Sequence, residues 1–359
     1  MAINLATKYE KEIARVFALK SKVAGTVSDK YNFTGAKSIN VYTPVTQPLN
    51  DYKRTGSNRY GDPQELQDTV QEMVITQDKS FSVTIDKGNN AEQMNVKDAA
   101  EMLSLEIEEQ AAPEMDKYAL GRFIEYAGEI SAATAEPTKN TICEMISDGM
   151  VHMGNKKVPD DNRYIFIGWK WFGKLRLSEE FVKNDELGKR ILVNGELGTF
   201  MGAHVIAMPD EYLKKGDSQC YFIIYHKNSV IQPKKIQDYF VKENPAGING
   251  ALLEGRFLYD AFVLAARCDG VYACVAASTK QATPSFAFSS GVLTVTSAGA
   301  TGIRVTLDGS DPRFSKDAIN IATGGTVTLP SGKTKAKAVA FDDALFTSDV
   351  AEDTERTVG

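Results

Sequence analysis

Phe81-Ser82-Val83-Thr84-Ile85 alternates apolar with polar residues and leads through Asp86-Lys87-Gly88-Asn89-Asn90 into a long run of helical periodicity that reaches Tyr126. The alternation predicts a strand with one covered face, and the glycine and asparagines predict a turn. A helix is predicted over 90–128, with Val96, Ala99, Ala100, Leu103, Ile107 and Ala111 on one side. Val96, Leu103, Ile107 and, further on, Tyr118 are its predicted core face. Glu101, Glu106, Glu108 and Glu109 make it acidic. A helix of this length exceeds what a compact domain buries against one core, which points to an assembling subunit rather than a catalyst. Pro113 removes a backbone donor and disfavours helical geometry at Ala112, so a kink or restart is expected there.

Upstream, Ile39 and Val41 begin one alternating run and Met73, Ile75, Phe81, Val83 and Ile85 form a second, predicting two long strands within an extended loop over 36–88. Between them Asn50 to Pro63 is too long for a hairpin turn and too poor in aliphatic residues to make its own core. It reads as an ordered arm that touches something else, with Tyr52, Lys53, Arg54, Arg59 and Tyr60 as its contact residues. Residues 1–35 form an N-terminal arm, in which Leu5, Tyr9, Ile13, Val16 and Phe17 predict a short amphipathic helix.

Downstream, 129–277 reads as a mixed α+β domain. Tyr164-Ile165-Phe166-Ile167, Tyr221 to Tyr225 and Phe262 to Ala266 are predicted as buried strands, and Asn194-Gly195 as a hairpin turn. After Ser278 the composition shifts to Ser, Thr, Gly and Val. Short strands at Val292–Val295, Ile303–Leu307, Thr326–Leu329 and Lys335–Ala340 predict a small all-β sandwich over 278–359. The polar stretch from Ser278 to Pro284 reads as a linker, so the sandwich is expected to fold on its own.

Composition narrows the function classes. A formal charge of -6 argues against a nucleic-acid binder, which needs a net basic face. No apolar run approaches the roughly 20 residues of a membrane span, and Met1-Ala2-Ile3-Asn4 does not open a secretory signal, so folding in the cytosol is expected. Cys143, Cys220, Cys268 and Cys274 lack metal-site spacing and read as reduced thiols. His152, His204 and His226 stand apart from one another, and Gly332-Lys333-Thr334 is a turn rather than a phosphate loop. Asp308, Asp311 and Asp317 have the spacing of a calcium loop, yet Asp308, Gly309, Asp311 and Pro312 are turn formers that explain themselves. No catalytic residues, cofactor or metal are expected.

The order of elements resembles the major capsid proteins of tailed bacteriophages, the Hong Kong 97 fold. Ile85-Asp86, Pro113-Glu114-Met115-Asp116-Lys117-Tyr118, the glycine-punctuated Asn194 to Val205 and the region Gly255 to Leu264 carry the likeness over about 1–277. It implies a spine helix, a peripheral and an axial domain, and an extended loop whose Tyr52, Lys53, Arg54, Arg59 and Tyr60 lie over an adjacent subunit. It also implies an icosahedral shell of hexamers and pentamers, built in the host bacterial cytoplasm with a portal and enclosing double-stranded DNA that it contacts weakly. With no long charged leader, an unprocessed N-terminus and a separate scaffolding protein are expected. From Ser289 on, Thr306 to Pro312 and Lys335-Ala336-Lys337-Ala338 resemble the immunoglobulin-like domain at the C-terminus of chitobiase-type enzymes. That likeness implies an outward-facing module with a glycan or host-surface contact. A nanocompartment shell of the encapsulin type and a carbohydrate-binding adhesin are the competing readings.

Overall fold

The computed structural model describes residues 21–31, 33, 38–46, 49–55, 57–61, 65, 67–92, 98–178 and 196–358. The predicted first helix over 4–17 lies outside them.

Strands β1 (Ser38–Val45) and β2 (Gln67–Val74) pair as an antiparallel hairpin, from Ser38 opposite Val74 to Val45 opposite Gln67. The second alternating run is not one strand. It turns at Ile75-Thr76, and β3 (Gln77–Asp86) joins a different sheet. The corner is set from a distance: Thr76 donates its N–H and hydroxyl to Asp260 Oδ2 at 2.8 and 2.9 Å. Met73 and Ile75 are buried there with Phe33, Ile231 and Leu264. Only β1 and β2 therefore form a projecting arm.

The predicted turn after Asp86 is a short helix, α1 (Lys87–Glu92), because the Asp86 carboxylate accepts the Asn89 N–H at 2.9 Å and caps it. Helix α2 (Ala99–Glu106) is capped by Asp98, whose Oδ1 accepts the N–H groups of Ala100 and Glu101. It runs through a π-helical turn, Ile107–Ala111, into α3 (Ala112–Glu125). Pro113 breaks nothing. The Ala112 N–H reaches back five residues to the Ile107 carbonyl, and the wider turn absorbs the proline in the first turn of α3, where its missing donor costs least.

The predicted core face of this helix needs correction. Val96 lies outside the described residues. No residue of α2 is buried, and Leu103 and Ile107 are only half-buried, because what faces them within one chain is a thin three-stranded sheet. The buried face belongs to α3: Met115, Ala119, Leu120, Phe123 and Ile124. Tyr118 is half-buried and donates its hydroxyl to Asp260 Oδ1 at 2.9 Å.

There follow β4 (Glu129–Ala133), α4 (Ile142–Asn155), β5 (Arg163–Gly168), α5 (Trp169–Arg176), β6 (Glu196–Phe200), β7 (Ala203–Met208), β8 (Lys214–Lys215) and β9 (Ser218–His226). Then come β10 (Val230–Ile231), β11 (Lys234–Glu243), β12 (Gly250–Tyr259), β13 (Phe262–Val263) and β14 (Val271–Ala276). The sheet β4-β14-β9-β5-β7-β6, with β8 on β9, is covered on both faces. Val271, Ala273 and Val275 point to the side that α3 covers, Tyr272 and Cys274 to the side of α4 and α5. Burial on both faces is why these strands read as continuous apolar runs. The hairpin turn between β6 and β7 is Met201-Gly202, with positive φ at both residues (49° and 81°), and Asn194-Gly195 falls outside the described residues. The strand expected over Phe262 to Ala266 stops at Val263, since Ala265–Gly270 is a 3-10 helix.

Strands β15 (Ser285–Ser289), β16 (Val292–Thr296), β17 (Gly302–Thr306), β18 (Ile319–Ile321), β19 (Gly325–Thr328), β20 (Gly332–Thr334), β21 (Lys337–Phe341), β22 (Ala351–Glu352) and β23 (Arg356–Val358) complete the chain. They pair among themselves as β15-β16-β19, β18-β17-β21-β22 and β20-β23, around Leu293, Val295, Ile303, Val305, Ala338 and Ala340.

The stretch 278–284 is not a free linker. Gln281 donates its N–H to the Phe346 carbonyl and Phe346 its N–H to Thr279. Lys280 Nζ bonds the Ile130 carbonyl and Asp349. Phe346 itself, 1% exposed, sits in the core that α3 and the seven-stranded sheet enclose.

Candidate assembly surfaces

The arm holds its tip in shape with few means. The Lys53 N–H donates to the Arg59 carbonyl and the Gly61 N–H to Asn58, both at 3.0 Å, and Asn58 turns with φ 56°. These bonds bring Tyr52 and Tyr60 into an edge-to-face contact 5.2 Å between ring centres. Both rings stay exposed, Tyr60 at 83%, and Leu49, in the same excursion, is fully exposed. Lys53, Arg54 and Arg59 are also exposed. The five residues that the sequence singles out thus share one tip, and its two tyrosines pack on each other and stay exposed.

The root of the arm is held firmly. Gln71 spans the gap to the neighbouring segment, donating to the Val263 carbonyl and accepting the Ala265 N–H, at 2.9 and 2.8 Å. Asp260, 1% exposed, gathers Thr76, Tyr118 and the Ala261 N–H. It ties arm, spine and sheet at one carboxylate. Burial, seconded by the Asp260 charge, pushes the Tyr118 hydroxyl up to about 12, so it remains a donor at any working pH. Reading the sequence alone misses Asp260 and Gln71, though an acid framed by Tyr259 and Ala261-Phe262 is the signature of a buried, satisfied carboxylate.

Two further apolar surfaces are exposed. A groove of about 260 Å³ between the π-turn region and the three-stranded sheet β11-β12-β3 is lined by Phe81, Ala111, Met115, Phe257 and Tyr259. On the edge strand β11, Tyr239, Phe240 and Val241 are exposed in succession. Exposed edges and adjoining aromatic residues are what a strand shows when its partner is another chain.

The turn predicted from Asp308, Gly309, Asp311 and Pro312 is present. Asp308 Oδ1 accepts the Ser310 N–H and hydroxyl, Gly309 has φ 79°, and Asp311 holds the Arg313 guanidinium at 2.7 Å. The turn serves the rest of the chain: Arg313 Nη1 bonds the Ala127 carbonyl and Phe314 packs on Tyr126 at the end of α3.

At the N-terminal side, Asp116, 2% exposed, accepts the Ser21 hydroxyl at 2.7 Å and the Lys22 N–H at 2.9 Å. Burial raises its pKa despite these bonds. Val23 and Val27 follow into the core, so residues 21–28 pack on their own chain.

No protein-family model matches the sequence, and no curated protein resembles it. Its fold is shared with solved phage structures. A chain of Mycobacterium phage Che8 superposes with a TM-score of 0.59 at 16% identity, covering 76% of this chain and 98% of its own. The capsid of cyanophage P-SCSP1u gives 0.61 at 14%, over 76% and 92%. The head structure of Helicobacter pylori bacteriophage KHP40 gives 0.57 at 12%, over 77% and 97%. The mixed α+β architecture described above is therefore shared with phage capsid chains at low sequence identity.

Proposed function

We propose that this chain is the major capsid protein of a tailed phage, in the Hong Kong 97 arrangement, and that its function is burial between copies in a closed icosahedral head. The observation that carries this is the arm: a hairpin fixed at its root by Asp260 and Gln71 that ends in uncovered Leu49, Tyr52 and Tyr60. Adjoining aromatic residues left uncovered at the tip of a hairpin held at its root mark a surface suited to meeting another. The groove beside Phe257 and the edge strand β11 are surfaces of matching character. The fold shared with phage capsid chains supports the same reading.

In this reading residues 1–277 are the shell subunit, with hexamers and pentamers of copies as its partners, aided by a scaffolding protein and portal in the host cytoplasm. The acidic chain lines a container that does not grip its DNA. The quarter of the chain without a counterpart in the phage structures is about the share that lies beyond Ala277, and an immunoglobulin-like module displayed on the head surface fits that addition. Unlike a tethered decoration, it is anchored in the subunit by Phe346.

Electron microscopy of particles from cells making the protein with its scaffolding partner should show closed shells. Deleting Tyr52 to Gly61 should leave soluble, folded subunits that form none. Normal shells from that deletion would remove the arm from assembly, and wild-type protein that never passes beyond monomers would remove the capsid reading.

A further inference from the structure

A cleft of about 300 Å³ lies where the sandwich meets the core, between β2, the end of α3 and the segment that follows the Asp308 turn. Arg122, Arg304, Arg313 and Lys316 line it, with Glu72 as the carboxylate among the lining residues. Arg122 lies in the field of Glu125 and Asp260, while Arg304 and Lys316 form no ion pair among the described residues. Asp311 is taken by Arg313. Glu125 is shared, accepting Arg122 at 3.2 Å and Lys215 at 2.6 Å.

Arg304 has no carboxylate partner among the described residues. Its two terminal nitrogens reach only the carbonyls of Arg313 and Ser315, at 3.3 and 3.4 Å, which are long bonds. The Nε groups of Arg122 and Arg304 are both buried and bonded to no described residue. Buried guanidinium N–H groups without acceptors are unfavourable. Arg122 and Arg304 both line the cleft, and their terminal nitrogens, not the enclosed Nε groups, are the donors open to an anion there. A tetrahedral oxyanion has oxygens enough to take N–H groups from both residues.

We propose that this cleft binds inorganic phosphate or a small phosphate ester, which bridges Arg122 of the core and Arg304 of the sandwich and fastens one to the other. A small anion is favoured over nucleic acid because the chain carries a net charge of -6 and the cleft is narrow and walled on both sides.

The test follows thermal unfolding of the full chain as inorganic phosphate is titrated against sodium chloride of matched ionic strength. Phosphate should raise the midpoint saturably in the millimolar range, sulfate should do the same, and chloride should not. Arg304→Gln should abolish the rise. Lys316→Glu, on the exposed rim and away from either core, should fold normally and bind phosphate at least fivefold more weakly. An equal response to chloride would overturn the proposal, as would Lys316→Glu with unchanged phosphate affinity. A dodecamer of thymidine binding more tightly than phosphate through the same residues would overturn the small-anion assignment in favour of nucleic acid.

Discussion

The seven-stranded sheet and the β1–β2 arm are both extended chain, yet they use their side chains in opposite ways. The sheet covers both faces from within the molecule, so that Phe222, Ile223 and Ile224 on β9 are all fully buried although they do not share one face. The arm buries Met73 at its root and leaves Tyr42, Tyr52 and Tyr60 in water. The first pattern stabilises one chain. The second leaves its aromatic residues uncovered by its own chain, and the difference is visible in where each strand's aromatic residues end.

The contrast can be broken most forcefully at the sheet. Phe222→Ala should destabilise the subunit by about 3–5 kcal/mol in urea titration, since a ring is lost from a close-packed interior. A change under 1 kcal/mol would mean that the sheet is not the stable unit. Phe346→Ala sharpens the comparison by asking on which side the sandwich falls. About 3 kcal/mol or more is expected, together with new protease cleavage at 278–284. A tethered module would show less than about 0.5 kcal/mol, as surface changes do.

Asp260→Ala should cost about 2–3 kcal/mol by stranding Thr76 and Tyr118, and should speed amide exchange at the root of β2 while leaving β9 protected. Equal acceleration in both would show that the root is not a separate junction. A smaller effect distinguishes two carboxylates by pH. Asp116 has a raised pKa in the fold, so its contribution is complete below the unfolded value of 3.8 and is lost as pH rises through the folded value. Glu136 is held at about 2 by Lys174, Lys170 and Trp171, so its contribution exists above 4.5 and is lost as pH falls towards 2. Stability of Asp116→Asn relative to wild type should therefore improve with rising pH, and that of Glu136→Gln should worsen, by about 0.5 kcal/mol for an exposed cluster. The same slope in both would refute the assignment. Least of all, Tyr60→Ala should change subunit stability by under about 0.5 kcal/mol yet lower the yield of closed shells severalfold in micrographs. A large loss of stability there would place the tyrosine in the subunit's own core.

The buried strands were legible because double-sided burial writes unbroken apolar runs, as in Tyr221 to Tyr225. The strands β16, β17, β19 and β21 were legible from their alternation. The tip of the arm was legible as aromatic residues in a polar stretch with no core. Helix α4 was also within reach, since Ile142, Ile146, Met150 and Met153 recur at helical spacing. Other features depend on contacts far along the chain. The corner at Thr76 is made by Asp260, and nothing in the local sequence marks it. Local turn chemistry pointed to Asn194-Gly195, which lies outside the described residues, while β6 and β7 are joined through Met201-Gly202, which has no such local signal in its first residue. The anchor Phe346 follows two aspartates and precedes no regular pattern, so its burial is visible only once the sheet it enters has been built.

That anchor also fixes an order of events. A ribosome adds about 5–20 residues per second, so roughly 4–14 s separate the emergence of β14 from that of Phe346. Until then the interior beneath α3 lacks one of its rings, and the chain that would form a shell is complete in every strand of its main sheet but not in its packing. Nascent chains stalled just before residue 346 should remain protease-sensitive at α3, and those stalled well beyond it should not. Synthesis thus carries its own clock, under which a prematurely ended chain cannot close its core.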